Sequence, residues 1–110
     1  MQVNSLPSLQ QLNLARNRLQ TLPEGALADV PSLMTCELQE NQLAQVSAGA
    51  LAGAPHLLHL NMSYNQITAL ENAGLQQLRS LEVLDLSHNR VSRVAADPLD
   101  AMEWLVELKV

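Results

Sequence analysis

With 11 acidic against 6 basic residues in 110, the chain carries a formal charge of −5. This excludes a general phosphate-binding surface, because non-specific nucleic-acid affinity comes mainly from Lys and Arg neutralising phosphates. Apolar residues make up 47% of the chain but aromatics only 2%, and Cys36 is the single cysteine; the interior must therefore be aliphatic, with no internal disulfide and no cysteine metal cluster.

In chain order, the first feature is a frame of apolar residues and one asparagine that returns at a constant step. Asn17, Asn41, Asn65 and Asn89 are each 24 residues apart, and so are Leu9, Leu33, Leu57, Leu81 and Leu105. A fixed period of this size marks a solenoid, in which each repeat buries its apolar side only against its neighbours. The boundaries follow directly: full repeats at 9–32, 33–56, 57–80 and 81–104, the tail of a repeat at 1–8 and the first strand of a fifth at 105–110. Both ends fall inside repeats, and Val3 and Leu6 fit the closing positions of a preceding one. The chain therefore reads as a piece of a longer array, and exposed apolar ends would favour end-to-end self-association.

Counting each repeat from its first leucine, positions 1, 4 and 6 hold Leu9, Leu12 and Leu14, then Leu33, Cys36 and Leu38, then Leu57, Leu60 and Met62, then Leu81, Leu84 and Leu86. A spacing of two puts positions 4 and 6 on one face of an extended segment. Each repeat thus opens with a short strand, and the strands stack in parallel about 4.8 Å apart. Cys36, in place of a core leucine, reads as a small buried hydrophobe. Position 9 is the asparagine, where the chain turns off the strand. An Asn side chain there both donates to and accepts from buried backbone groups, so four copies form a structural ladder. Positions 11 and 14 return apolar groups to the interior. The second half of the repeat keeps Leu27, Leu51, Leu75 and Leu99 at position 19 and an apolar residue at position 22. That spacing of three, with Pro and Gly nearby, predicts a single helical or 3₁₀ turn and a short return path.

The pattern LxxLxLxxNxLxxLxxxxLxxLxx, carried by Leu9 to Ser32 and repeated through Trp104, resembles leucine-rich repeats. The 24-residue length and the second half typified by ALADVPSL are similar to repeats of animal extracellular proteins. The resemblance implies an α/β fold: a right-handed solenoid with parallel strands on the concave face and short 3₁₀ or irregular segments on the convex face. It implies a non-enzymatic protein-recognition module, part of a larger cell-surface or secreted receptor or adhesion protein. An internal spacer without ligand contact and a cytoplasmic scaffold are the alternatives.

On a concave strand face the exposed columns are positions 3, 5 and 7, with position 8 at the rim. The candidate partner-binding residues are Thr35, Glu37, Gln39, Glu40, His59, Asn61, Ser63, Tyr64, Val83, Asp85, Ser87 and His88. They vary between copies while the frame does not, as selectivity on a fixed scaffold requires. Tyr64, with His59 and His88 nearby, offers aromatic area with a polar tip. The partner expected is a protein or other macromolecule, not nucleic acid; no segment reaches the roughly 18 apolar residues of a membrane span. Asn61-Met62-Ser63 is an N-glycosylation sequon, and a glycan on Asn61 would cover much of this face. Asp85, Ser87, His88 and His59 include the residue types of a catalytic triad or a metal site. Laid against the sister copies, DLSHN is repeat text with no loop or pocket sequence around it. No catalytic, cofactor or metal residue is assigned. Trp104 stands where Ser32, His56 and Ser80 stand elsewhere and reads either as packing over the next layer or as left exposed by truncation, with a partner anchor as the lesser alternative.

Overall fold

The computed structural model describes residues 3–69, 74–75, 78–91 and 106–109. The expectations for Leu99, Trp104 and Leu105, and for Leu70 and Val94 at position 14 and Met102 at position 22, lie outside these residues. Nine short strands are described: β1 Val3–Asn4, β2 Gln11–Asn13, β3 Thr21–Leu22, β4 Leu27–Ala28, β5 Thr35–Glu37, β6 Gln45–Val46, β7 His59–Asn61, β8 Val83–Asp85 and β9 Glu107–Lys109. They form a solenoid of stacked coils, with β2, β5, β7, β8 and β9 side by side in one parallel sheet.

Register in that sheet follows the period. Gln11 faces Thr35, Thr35 faces His59, His59 faces Val83 and Val83 faces Glu107, each a step of 24. The apolar frame dictates this alignment, since a slip of one residue would turn every leucine of a strand to the solvent side. Outside the strands the same backbone bonds recur. The Gln10 carbonyl accepts from both Met34 and Thr35, and the Met34 carbonyl accepts from both Leu58 and His59. At the other strand end, Leu14 N–H donates to Glu37, Leu38 to Asn61 and Met62 to Asp85, each at 2.8 Å.

The interior is a column of aliphatic layers. Leu33, Cys36, Leu38 and Leu43 are no more than 1% exposed, as are Leu57, Leu60, Met62 and Ile67. In the first coil the equivalent Leu9, Leu12, Leu14 and Leu19 are only partly buried against this core, because a coil with one neighbour covers one side. Each layer is stabilised by the two beside it.

Three of the four asparagines bridge neighbouring coils. Asn65 Nδ2 donates to the carbonyls of Met62 and Ser63 in its own coil and of Leu38 in the preceding one, while its Oδ1 accepts from Leu43 N–H at 3.0 Å. Asn41 makes the equivalent set with Leu38, Gln39, Leu14 and Leu19, and Asn89 with Leu86, Ser87, Met62 and Ile67. Each amide therefore ties two coils together. Asn17 donates only within its own coil, to Leu14 and Ala15.

The return path is short and mostly irregular, with two additions the periodicity does not announce. β3 pairs in parallel with β6, and β1 pairs in parallel with β4 through Val3 opposite Leu27. The expected single turn between positions 19 and 22 is present where Ala54 N–H donates to Leu51 and where Leu78 N–H donates to Leu75. In the first repeat it is replaced: Leu27–Ala28 is extended, and Val30 N–H donates across to Gly53 instead. Gly53 is needed for that approach, since a Cβ there would lie 2.5 Å from the Leu27 carbonyl and 2.6 Å from Ala28 Cα.

Candidate functional site: the outward face of the main sheet

Alternation along each strand turns position 4 inward, so positions 3 and 5 point outward on either side of it. The candidate residues accordingly gather in columns across the sheet. Thr35, His59 and Val83 are successive partners in one column, and Glu37, Asn61 and Asp85 in the next. Asn13 precedes that second column and Lys109 closes it. His59 is exposed, while Thr35, Val83, Glu37, Asn61 and Asp85 are half-buried.

Position 7 behaves differently from the expectation of an open column. Ser63 is only 6% exposed, and Gln39 and Ser87 are half-buried. The reason is a clip at the strand end. Asn61 Oδ1 accepts from Ser63 N–H at 3.0 Å and from Ser63 Oγ at 2.7 Å. Asp85 Oδ1 does the same with Ser87, from N–H at 2.9 Å and from Oγ at 2.5 Å, and Asn13 Oδ1 accepts from Ala15 N–H at 2.9 Å. This side-chain turn uses an oxygen that Asn and Asp share. Asn61-Met62-Ser63, read as a sequon, is thus also one of two matching structural clips. A glycan on its Nδ2 would fill the face between Glu37 and Asp85. Gln39 lacks such a clip, and its Oε1 is buried without a hydrogen-bond donor.

Position 8 forms the rim, and its backbone is the same in all four copies. Arg16, Glu40, Tyr64 and His88 have φ of 60°, 58°, 55° and 57°, the left-handed region that L-residues other than Gly occupy at roughly 1–2 kcal/mol each. The turn is held by the stacked coils: Arg16 N–H donates to the Gln39 carbonyl, Glu40 N–H to Ser63 and Tyr64 N–H to Ser87. All four side chains are exposed and interact with their neighbours along the rim. Arg16 Nε pairs with Glu40 Oε2 at 2.9 Å, and the bond to Glu40 raises the Arg16 pKa. Tyr64, 55% exposed, stacks on His88 with ring centroids 4.2 Å apart and an angle of 11° between planes. The opposite rim, position 2, holds exposed apolar side chains outside the candidate columns: Met34 at 41% and Val106 at 81%. Their spacing of three repeats was visible, but an apolar residue beside a strand gives no sign of whether a neighbour covers it.

Two shallow depressions lie on this face. One, of about 200 Å³, runs from Thr35 and Glu37 past His59, Asn61 and Asp85 to Lys109, and the other, of about 250 Å³, lies over Gln11, Asn13, Thr35 and Glu37. Thr35 and Glu37 border both. Cys36, between them in sequence, is fully buried; burial pushes its thiol pKa up to about 12, with the neighbouring Glu37 charge adding to the rise.

The residues that suggested a triad are not arranged as one. Ser87 Oγ donates to Asp85, and His88 lies flat against Tyr64, so Ser87 has no hydrogen bond to an imidazole that would draw off its proton. Among the described residues no three His, Cys, Asp or Glu side chains are grouped to hold a metal ion, and no helix is long and apolar enough to cross a membrane.

Comparison with protein families matches the chain to the model described as Leucine rich repeat, over residues 2–43 and 31–91. Among curated proteins none matches the chain.

Proposed function

The chain belongs to the leucine-rich repeat family, a class of non-enzymatic interaction modules, and from that premise we propose that the outward face of its main sheet, the concave side of the family's solenoid, recognises another protein. We place the module in a cell-surface or secreted receptor or adhesion protein, on the likeness of its 24-residue repeats to those of animal extracellular proteins. The observation that carries the reading is the contrast between frame and face. The same bonds and buried leucines recur coil after coil, whereas Thr35, His59 and Val83, or Glu37, Asn61 and Asp85, differ at equivalent places. The chemistry is preorganisation. The clips fix Asn61 and Asp85, and the stacked coils fix the backbone under every column before a partner arrives, so less conformational entropy is lost on binding.

Tyr64 is the anchor in this account, because it is exposed, aromatic and already held against His88. The test replaces Glu37, Tyr64 and His88 together by alanine in the protein that carries these repeats and measures its affinity for its binding partner. A loss of at least about 2 kcal/mol is expected from an anchor and its flanks. Unchanged affinity would reject the proposal in favour of a spacer that only sets distance between other binding regions.

A further inference from the structure

Position 5 of the coils is the middle of the sheet face, and one of its occupants carries the chemistry for covalent extension there. The column reads Asn13, Glu37, Asn61, Asp85 and Lys109. Glu37 and Asp85 have carboxylates, with no amide nitrogen to modify, and two residues beyond Asn13 stands Ala15, which has no hydroxyl. Asn61 combines a carboxamide with the Ser63 hydroxyl two residues on and no proline between, which is what N-linked glycosylation requires. This triplet occurs once in the sequence. In the ladder asparagines the same nitrogen is already engaged: Asn41, Asn65 and Asn89 each donate through Nδ2 to backbone carbonyls of their own and the preceding coil.

The fold leaves the Asn61 nitrogen free. Oδ1 accepts from Ser63 N–H at 3.0 Å and from Ser63 Oγ at 2.7 Å, whereas Nδ2 donates to no group among the described residues. Nor is Nδ2 sealed from water, since the buried unpartnered side-chain atom among the described residues is Gln39 Oε1. The clip thus holds the amide by its oxygen and leaves the nitrogen on the depression that Asn61 lines with Glu37, His59 and Asp85. In the transfer, a bond forms between Nδ2 and the anomeric carbon of an oligosaccharide, and the bond from that carbon to the diphosphate of a polyisoprenyl carrier breaks. One Nδ2 proton leaves with the released diphosphate. Oδ1 takes no part, so the modified side chain keeps both bonds from Ser63 and the strand keeps its register. A sugar on Asn65 would instead break three bonds to buried carbonyls.

We propose that Asn61 is an acceptor for an N-linked glycan, which the folded solenoid carries over the floor of its sheet face and which regulates what a partner can reach there. The proposal rests on the placement of these repeats in a secreted or cell-surface protein. A glycan is bulky and hydrated. With it attached, the floor around His59, Glu37 and Asp85 is covered and the exposed rim of Glu40, Tyr64 and His88 is what a partner meets first; without it, floor and rim are both open.

The test expresses the whole chain behind a secretion signal in animal cells and compares its mass, from cells and medium, before and after treatment with a peptide N-glycosidase. That enzyme removes the glycan and turns Asn61 into Asp, which Asp85 shows to hold the same clip, so the two forms compare directly. A glycan is expected on the peptide bearing Asn61 and none in the variant Asn61→Asp. The melting temperatures of the glycosylated and deglycosylated forms should agree within about 4 °C, a small perturbation for a domain of this size. Acylation of histidines by diethyl pyrocarbonate then reads the coverage. His59, exposed and two residues before Asn61 on the same side of the strand, should react several-fold more slowly in the glycosylated form, while exposed His56, which lies before the strand, reacts equally in both. An unmodified Asn61 in the exported chain would overturn the proposal. So would a glycosylated form that melts more than about 4 °C lower, or one whose His59 reacts as fast as in the deglycosylated form. If export adds the glycan but the protein isolated from its own cells carries none, the acceptor site stands and the secreted or cell-surface placement falls.

Discussion

At the scale of single residues, asparagine does what neither aspartate nor an apolar residue can, since its amide supplies donor and acceptor together. Replacing Asn65 by Ala leaves Leu43 N–H without its acceptor inside the stack, while the carbonyls of Leu38, Met62 and Ser63 each lose one donor and keep Asn41, Asn89 and Glu40 respectively. One unsatisfied buried donor costs roughly 1–3 kcal/mol and the lost bonds to the carbonyls add to it, so a loss of about 2 kcal/mol or more is expected in urea unfolding. Asp at 65 should do no better, because it turns a charge toward carbonyls. Asn17→Ala should lose under about 1 kcal/mol, since Asn17 is exposed and bonds only within its own coil. Equal losses at the two positions would contradict the ladder as the tie between coils.

Cys36 provides a second prediction at this scale. Its folded thiol holds a proton up to about pH 12, against an ordinary value of 9.0. Above pH 9 the unfolded chain releases that proton while the folded chain keeps it. Stability is therefore fully present below pH 9 and declines as pH rises, by about 1.4 kcal/mol per unit toward pH 12. The variant Cys36→Leu restores the frame residue and lacks the group. The difference in unfolding free energy between the two proteins should grow in the variant's favour from pH 9 upward, and a pH-independent difference would show that the thiol is not held protonated.

At the scale of elements, glycines on the return path mark where neighbouring coils touch. A Cβ at Gly53 would strike backbone, the Leu27 carbonyl and Ala28 Cα, whereas one at Gly49 would strike the flexible carboxylate of Glu24. Gly53→Ala should destabilise by about 1–3 kcal/mol, as overpacking against a fixed neighbour does. Gly49→Ala should remain within about 1 kcal/mol, because Glu24 can swing aside at the loss of its bond to Gly49 N–H. Thermal unfolding of the two variants measures the contrast, and a milder effect at Gly53 would refute the close approach. These contacts also explain why the return path was hard to read. Leu27 and Leu51 are the same residue at the same repeat position, yet one is in a strand and the other opens a turn. Leu27–Ala28 is drawn out by pairing with Val3–Asn4 in the segment before it, a long-range contact that no local pattern carries.

At the scale of the whole molecule, the solenoid was legible because its frame obeys two geometric rules at once. Spacing of two along the strand assigns Cys36 and Leu38 to one side, and the step of 24 aligns them with Leu60 and Met62. The face was legible in outline, since whatever is not frame must point outward. Its fine structure was not. Left-handed backbone is ordinarily announced by Gly or Asn, and here it falls on Arg16, Glu40, Tyr64 and His88, the first three held there by bonds to the adjoining coil. Likewise Ser63 looks available in sequence but is closed down by Asn61.

The central claim is that this protein meets its partner through the outward face of the main sheet. Hydrogen–deuterium exchange of the protein with and without its bound partner reads that surface directly. Slowed exchange is expected in residues 35–40, 59–64 and 83–88, which carry the face and its rim, with the return path at 23–30 and 47–54 unchanged. Protection confined to the return path, with the strand segments unaffected, would contradict it.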